Sequence, residues 1–80
     1  MLAKIFVSLK DGVLDPQGRA IHNTLNNLGF TNLEKISQGK YFEIKLKATS
    51  KDKAEKEIDE ICKKLLVNEI IEKYRFEIIN

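Results

Sequence analysis

The stretch Leu9–Gly29, LKDGVLDPQGRAIHNTLNNLG, constrains this chain most, because it carries its own start and stop signals for a helix. Asp15 is a strong N-cap residue, since its carboxylate can accept from the first free helical N–H groups. Pro16 suits the first helical position, where a missing N–H costs nothing. Gly29 ends the helix by entering the left-handed region cheaply. The spacing therefore predicts a helix over 16–28, with Ile21, Thr24, Leu25 and Leu28 on its buried side and Arg19, Asn23 and Asn26 on its wet side. Gly18 is the anomaly, because glycine in a first turn costs about 1 kcal/mol relative to Ala. Two readings offset that cost: close packing of the helix on a sheet, or approach of another backbone or a partner subunit.

The segments around this helix alternate. Leu2–Leu9 places Ile5, Val7 and Leu9 on one face and Lys4, Phe6 and Ser8 on the other, the pattern of a half-buried strand. Lys10–Leu14 is a loop. Leu33–Ser37 reads as an edge strand and Gln38-Gly39 as a hairpin turn. Lys40–Ala48 sets Phe42, Ile44, Leu46 and Ala48 against Tyr41, Glu43, Lys45 and Lys47. Thr49 or Ser50 caps a second helix to about Leu66, with Ala54, Ile58, Ile61, Cys62 and Leu65 inward. Asp59–Lys63 and Glu60–Lys64 are its i, i+4 ion pairs. Asn68 is its stop. Tyr74–Ile79 alternates again, with Tyr74, Phe76 and Ile78 on one face.

The order βαββαβ is that of an α+β, ferredoxin-like fold: an antiparallel four-stranded sheet with both helices on one face and strands one and three central. The opposite face then carries Phe6, Tyr41 and Ile79 among Lys4, Glu43, Lys45 and Arg75. Two aromatics on an open face mark a sheet-to-sheet contact between copies. At 80 residues the chain is one domain, 1–80, with a small core. One cysteine excludes an intrachain disulfide, so self-association is the remaining source of extra stability.

Little chemistry is visible. Fourteen basic and twelve acidic residues are interspersed, which argues against nucleic acid. No apolar run reaches the roughly 20 residues of a membrane span, and the N-terminus lacks the pattern of a signal peptide. The cytoplasm is the expected location. His22, the single histidine, sits on the side of the first helix and reads as a surface residue. Cys62 reads as a small core hydrophobe. The glycines form no phosphate-binding fingerprint, and there is no Cys/His cluster for a metal. What remains is the polar loop framed by a strand and a capped helix, which reads as an interaction surface.

Three motifs in order resemble the PurS family, the small subunit of phosphoribosylformylglycinamidine synthase in purine biosynthesis. The first is Val7-Ser8-Leu9-Lys10 followed by Val13-Leu14-Asp15-Pro16-Gln17-Gly18 and Ala20. The second is Gly39-Lys40-Tyr41 with Glu43. The third is Cys62, Lys64-Leu65-Leu66 and Asn68, then Ile71-Glu72 and Tyr74. Ser37 stands where the family often has Arg, and Val67 where it usually has Ala. The resemblance covers nearly the whole chain. It implies an accessory subunit without an active site or cofactor of its own, with ATP and Mg on the large subunit. It implies a homo-oligomer, dimer or tetramer, that joins a PurQ-like glutaminase to a PurL-like synthetase and assists ammonia transfer. The expected partner-contact loop is Lys10, Asp15, Gln17 and Gly18, with Gly39 and Lys40 as a second contact and Phe6, Tyr41 and Ile79 as the oligomer face. By fold analogy alone, the alternative is a small regulatory module binding a metabolite at a dimer interface. An RNA-binding domain of similar topology would need a basic sheet and an RNP1-like sequence, both missing here.

Overall fold

The computed structural model describes residues 1–47 and 49–79. Its elements are β1 (Leu2–Leu9), α1 (Pro16–Asn27), β2 (Lys40–Lys45), α2 (Lys51–Ile61), a π-helical turn (Cys62–Leu66) and β3 (Glu72–Ile79). The three strands form one antiparallel sheet in the order β2-β1-β3. A ferredoxin-like chain places its third, first and last strands in that order. The predicted core position Ala48 lies outside the described residues.

The alternating pattern sets the two faces. Ala3, Ile5 and Val7 point to the helix-bearing side and are almost fully buried. Their cross-strand partners extend the same surface: Ile44 and Ile78 flank Ala3, and Phe42 and Phe76 flank Ile5. α2 lies over this surface and contributes Ala54, Ile58 and Cys62 to the core. Ser50 is the α2 cap, its Oγ accepting from the Lys53 N–H at 3.2 Å. The expected ion pairs on its wet side form, Lys63–Asp59 at 3.1 Å and Lys64–Glu60 at 2.8 Å.

Three expectations are corrected. The expected edge strand Leu33–Ser37 does not form, so the sheet has three strands among the described residues, and Gln38-Gly39 is not a hairpin turn: residues 30–39 run irregularly. Groups of this segment bond to α1 and its cap instead: the Leu33 carbonyl accepts from His22 and the Gln38 N–H donates to the Asp15 carboxylate. β2 is therefore an edge strand, not a central one. Second, Leu65 is 82% exposed. The last turn of the second helix widens, and the Val67 N–H reaches back to the Cys62 carbonyl at 2.9 Å. The extra residue in that turn swings Leu65 outward and brings Leu66 and Val67 to the core.

The third correction concerns α1. Its caps are those the sequence predicts: Asp15 at the start, and at the end a Schellman motif, with Gly29 at φ 99° and the Phe30 N–H bonded to the Leu25 carbonyl at 3.0 Å. Its apolar stripe is not buried, however. Ile21 is 43% exposed, Leu28 68% and Phe30 58%, and Thr24 is exposed as well; within the helix only Gly18 is fully covered. The helix continues outward from the end of the sheet instead of folding back over it. The Cα radius of gyration is 16.2 Å, and the longest dimension is 50 Å. A compact chain of this length has a radius of roughly 12 Å.

Candidate functional site

The base of this arm gathers most of the expected contact residues, and Asp15 organises it. One carboxylate oxygen accepts the Gly18 N–H at 2.9 Å, which caps α1. The other accepts the Gln38 N–H at 3.0 Å, which anchors the chain returning to β2. The bond from Gly18 and then that from Gln38 hold the Asp15 carboxyl below the usual carboxylate range.

Two glycines make this crossing possible. A Cβ on Gly18 would collide with the carbonyl oxygen of Ile36 and stand 2.6 Å from Asp15 Oδ2. A Cβ on Gly39 would collide with the carbonyl oxygen of Val7. Of the two readings of Gly18, approach of another backbone is the one observed, and that backbone belongs to the chain itself. His22 fastens the arm further out, where its Nε2–H donates to the Leu33 carbonyl at 2.8 Å. It is half-buried, not a free surface residue.

β3 closes the other side. Glu72 lies beside Lys40, Oε2 to Nζ at 3.4 Å, while its Oε1 accepts the Asn68 N–H at 2.8 Å. Sequence reasoning did not single out Glu72 or Gln38. Glu72 falls in the third family motif, which was its only signal; Gln38 was read only as part of a hairpin turn, because its role here is a backbone bond. Between these groups lies an open cavity of about 300 Å³, lined by Ser8, Asp15, Gln17, Gln38, Gly39, Lys40 and Glu72 among others. The expected loop and second contact thus meet in one place. Gly18 faces a neighbouring cavity of about 360 Å³ on the other side of Asp15. Lys10 follows Leu9 at the cavity's end of β1 but lines neither cavity; it is exposed, with its N–H bonded to the Ile71 carbonyl at 2.8 Å.

The open sheet face has its own arrangement. Phe6 stacks obliquely on Tyr41, ring centroids 5.1 Å apart, and the Arg75 guanidinium lies 4.1 Å above the Phe6 ring. The strand register brings them together, since Phe6 pairs with Tyr41 on one side and Arg75 on the other. Ile79, 43% exposed, sits beside Leu2 at the far end of the same face. Cys62 is fully buried, and that burial pushes its thiol up, as expected of a core residue.

Comparison with known proteins is consistent across sequence and structure. The family model named PurS, phosphoribosylformylglycinamidine (FGAM) synthase, matches residues 2–80. A relative from Archaeoglobus fulgidus, named phosphoribosylformylglycinamidine synthase subunit PurS, is 46% identical over 92% of both chains. The crystal structure of Methanocaldococcus jannaschii PurS, one of the subunits of formylglycinamide ribonucleotide amidotransferase in the purine biosynthetic pathway, superposes with a TM-score of 0.85 at 38% identity. That match covers 95% of this chain and 92% of the other. A chain in the structure of PurLQS from Thermotoga maritima superposes with a TM-score of 0.83 at 29% identity, covering 96% of each. With a family match over essentially its whole length and close relatives of equal size, the chain belongs to the PurS family of phosphoribosylformylglycinamidine synthase subunits.

Proposed function

We propose that this chain is a non-catalytic subunit of phosphoribosylformylglycinamidine synthase that joins the glutaminase and synthetase subunits and assists ammonia transfer between them. The glutaminase would release ammonia from glutamine, and the synthetase would use it, with ATP, to convert formylglycinamide ribonucleotide to the amidine. The observation that carries this reading is how the site spends its polar groups. Both oxygens of Asp15 accept backbone N–H groups, Glu72 holds Lys40 and the Asn68 N–H, and His22 is bound to a carbonyl. These groups shape a surface; they do not form a nucleophile with its base. The PurLQS likeness supports the same partners. A role in purine synthesis supports a cytoplasmic location. No helix among the described residues is long and apolar enough to cross a membrane.

In this reading Asp15, Gln17, Gly18, Gly39 and Lys40 form one contact surface, with Lys10 at its outer margin, and Phe6, Tyr41 and Ile79 form a face that pairs copies of the chain. The contact surface is tested in the reconstituted complex with Gln17→Ala and Lys10→Glu. Both residues are exposed, so the fold should persist. Glutamine-driven synthesis should fall while synthesis from excess ammonium is largely retained. Equal loss with both nitrogen sources would contradict a coupling role. Unaltered rates and assembly would remove these residues from the contact.

A further inference from the structure

We propose that the open sheet face carries a binding site for a small phosphate monoester, at the end of the face where Ser8, Lys73 and Arg75 come together. The inference goes beyond the coupling role and does not rest on it.

The strand register builds the site. Ser8 lies directly opposite Lys73, and Phe6 directly opposite Arg75. Strand alternation sends these four side chains to the open face. There they line a cavity of about 370 Å³ together with Tyr74. The Ser8 hydroxyl, the Lys73 ammonium and the Arg75 guanidinium are all donors that phosphate oxygens accept from. Arg75 is already positioned, because its guanidinium lies 4.1 Å above the Phe6 ring and its Nη1 donates to Glu77 Oε1 at 3.1 Å. Its other N–H groups make no bond among the described residues, which leaves part of a planar fork for a ligand.

The charge pattern of the face selects an anion for this end. The carboxylates of the face, Glu43 and Glu77, flank Lys4 on either side, one row beyond Phe6 and away from Ser8. Both are engaged, Glu43 by the Tyr41 hydroxyl at 2.7 Å and Glu77 by Arg75. No carboxylate lines the cavity. Lys73 is exposed and has no ion-pair partner among the described residues. Two cations and a hydroxyl around an acid-free hollow match a phosphate dianion. The Phe6 ring gives the cavity an apolar wall, and its volume leaves room beyond the phosphate for an organic group, which favours an ester over the free ion. Ser8 and Lys73 lie past Phe6, at the opposite end of the face from Ile79, so the site adjoins the proposed pairing face without taking these two side chains from it.

The test titrates the whole isolated chain, at fixed ionic strength, with ribose 5-phosphate and separately with inorganic phosphate, and follows amide resonances by nuclear magnetic resonance. Saturable shifts are expected at Ser8, Lys73 and Arg75, with a midpoint for the ester at least about tenfold below that for the free ion. Lys73→Ala should raise the ester midpoint at least about tenfold. Arg75→Lys, which keeps the charge and loses the fork, should raise it as well. Lys45→Ala removes the same charge at the far corner of the same face and should leave the midpoint where it is. The absence of saturable shifts at these residues would overturn the site. An equal midpoint for inorganic phosphate would overturn the ester, and an equal effect of Lys45→Ala would reduce the binding to the general charge of the surface and overturn it too.

Discussion

Asp15 and Gln38 are joined across 23 positions of sequence by a 3.0 Å bond from the Gln38 N–H to the Asp15 carboxylate. The same carboxylate caps α1, so one side chain fixes both where the helix begins and where the chain returns to the sheet. Asp15→Asn retains an acceptor for the cap but loses one of the two bonds. Because the Asp15 pKa is lowered in the folded state, its contribution is present above the unfolded value near 3.8 and is lost as pH falls through the lower folded value. Urea unfolding should show Asp15→Asn less stable than the parent at neutral pH, and the difference should shrink in acid below that range. A difference that persists or grows in acid would contradict the double-bond assignment.

Gly18→Ala separates local propensity from long-range geometry. In an isolated helix the change should stabilise by about 1 kcal/mol. Here the added methyl meets the Ile36 carbonyl, and overpacking of this kind costs about 1–3 kcal/mol. Net destabilisation in equilibrium unfolding is expected. A gain would show that the helix and residue 36 separate freely.

The two tyrosines should titrate apart. Tyr74 donates to Asp59, and that bond, with partial burial, pushes its phenol up to about 12. Tyr41 is also raised, mainly by its 2.7 Å bond to Glu43. A raised phenol stabilises the fold fully below the unfolded value near 10, and that contribution disappears as pH rises towards about 12. Ultraviolet absorbance should show the later step vanish in Tyr74→Phe and remain in Tyr41→Phe. Loss of the later step in Tyr41→Phe instead would reverse the assignment.

What could be read from the sequence was what is local. Asp15, Pro16, Gly29 and Ser50 act within a few residues of themselves, so their caps were legible. The alternation of β1, β2 and β3 placed Phe6, Tyr41 and Ile79 on one face correctly. The stripe of Ile21, Leu25 and Leu28 was legible as a pattern, but periodicity does not tell whether the chain's own sheet covers it, and here Ile21 and Leu28 stay exposed. Leu33 and Gln38 bond to His22 and Asp15, far away in sequence, which the alternation of Leu33–Ser37 does not reveal. Leu65 was misplaced because one inserted residue in a helical turn rotates everything after it. The candidate site was half legible: Asp15, Gln17, Gly39 and Lys40 stood out by motif, while Glu72, present in the third motif, was shown beside Lys40 only by the fold.

The open sheet face supplies a prediction of its own. Phe6→Asp removes the aromatic partner of Tyr41 and the ring beneath Arg75, and it places a charge in the proposed pairing face. Self-association should weaken by an order of magnitude or more, read by light scattering. Unaltered assembly would leave Phe6 an ordinary surface aromatic.

The coupling role is tested most directly by leaving the chain out. Glutaminase and synthetase subunits are assayed for amidine formation with and without this chain, once with glutamine and once with excess ammonium as nitrogen source. The account predicts that omission abolishes most glutamine-driven synthesis and spares most ammonium-driven synthesis, while the chain alone neither hydrolyses glutamine nor turns over ATP. Glutamine-driven synthesis at full rate without the chain, or equal loss with both nitrogen sources, would contradict it.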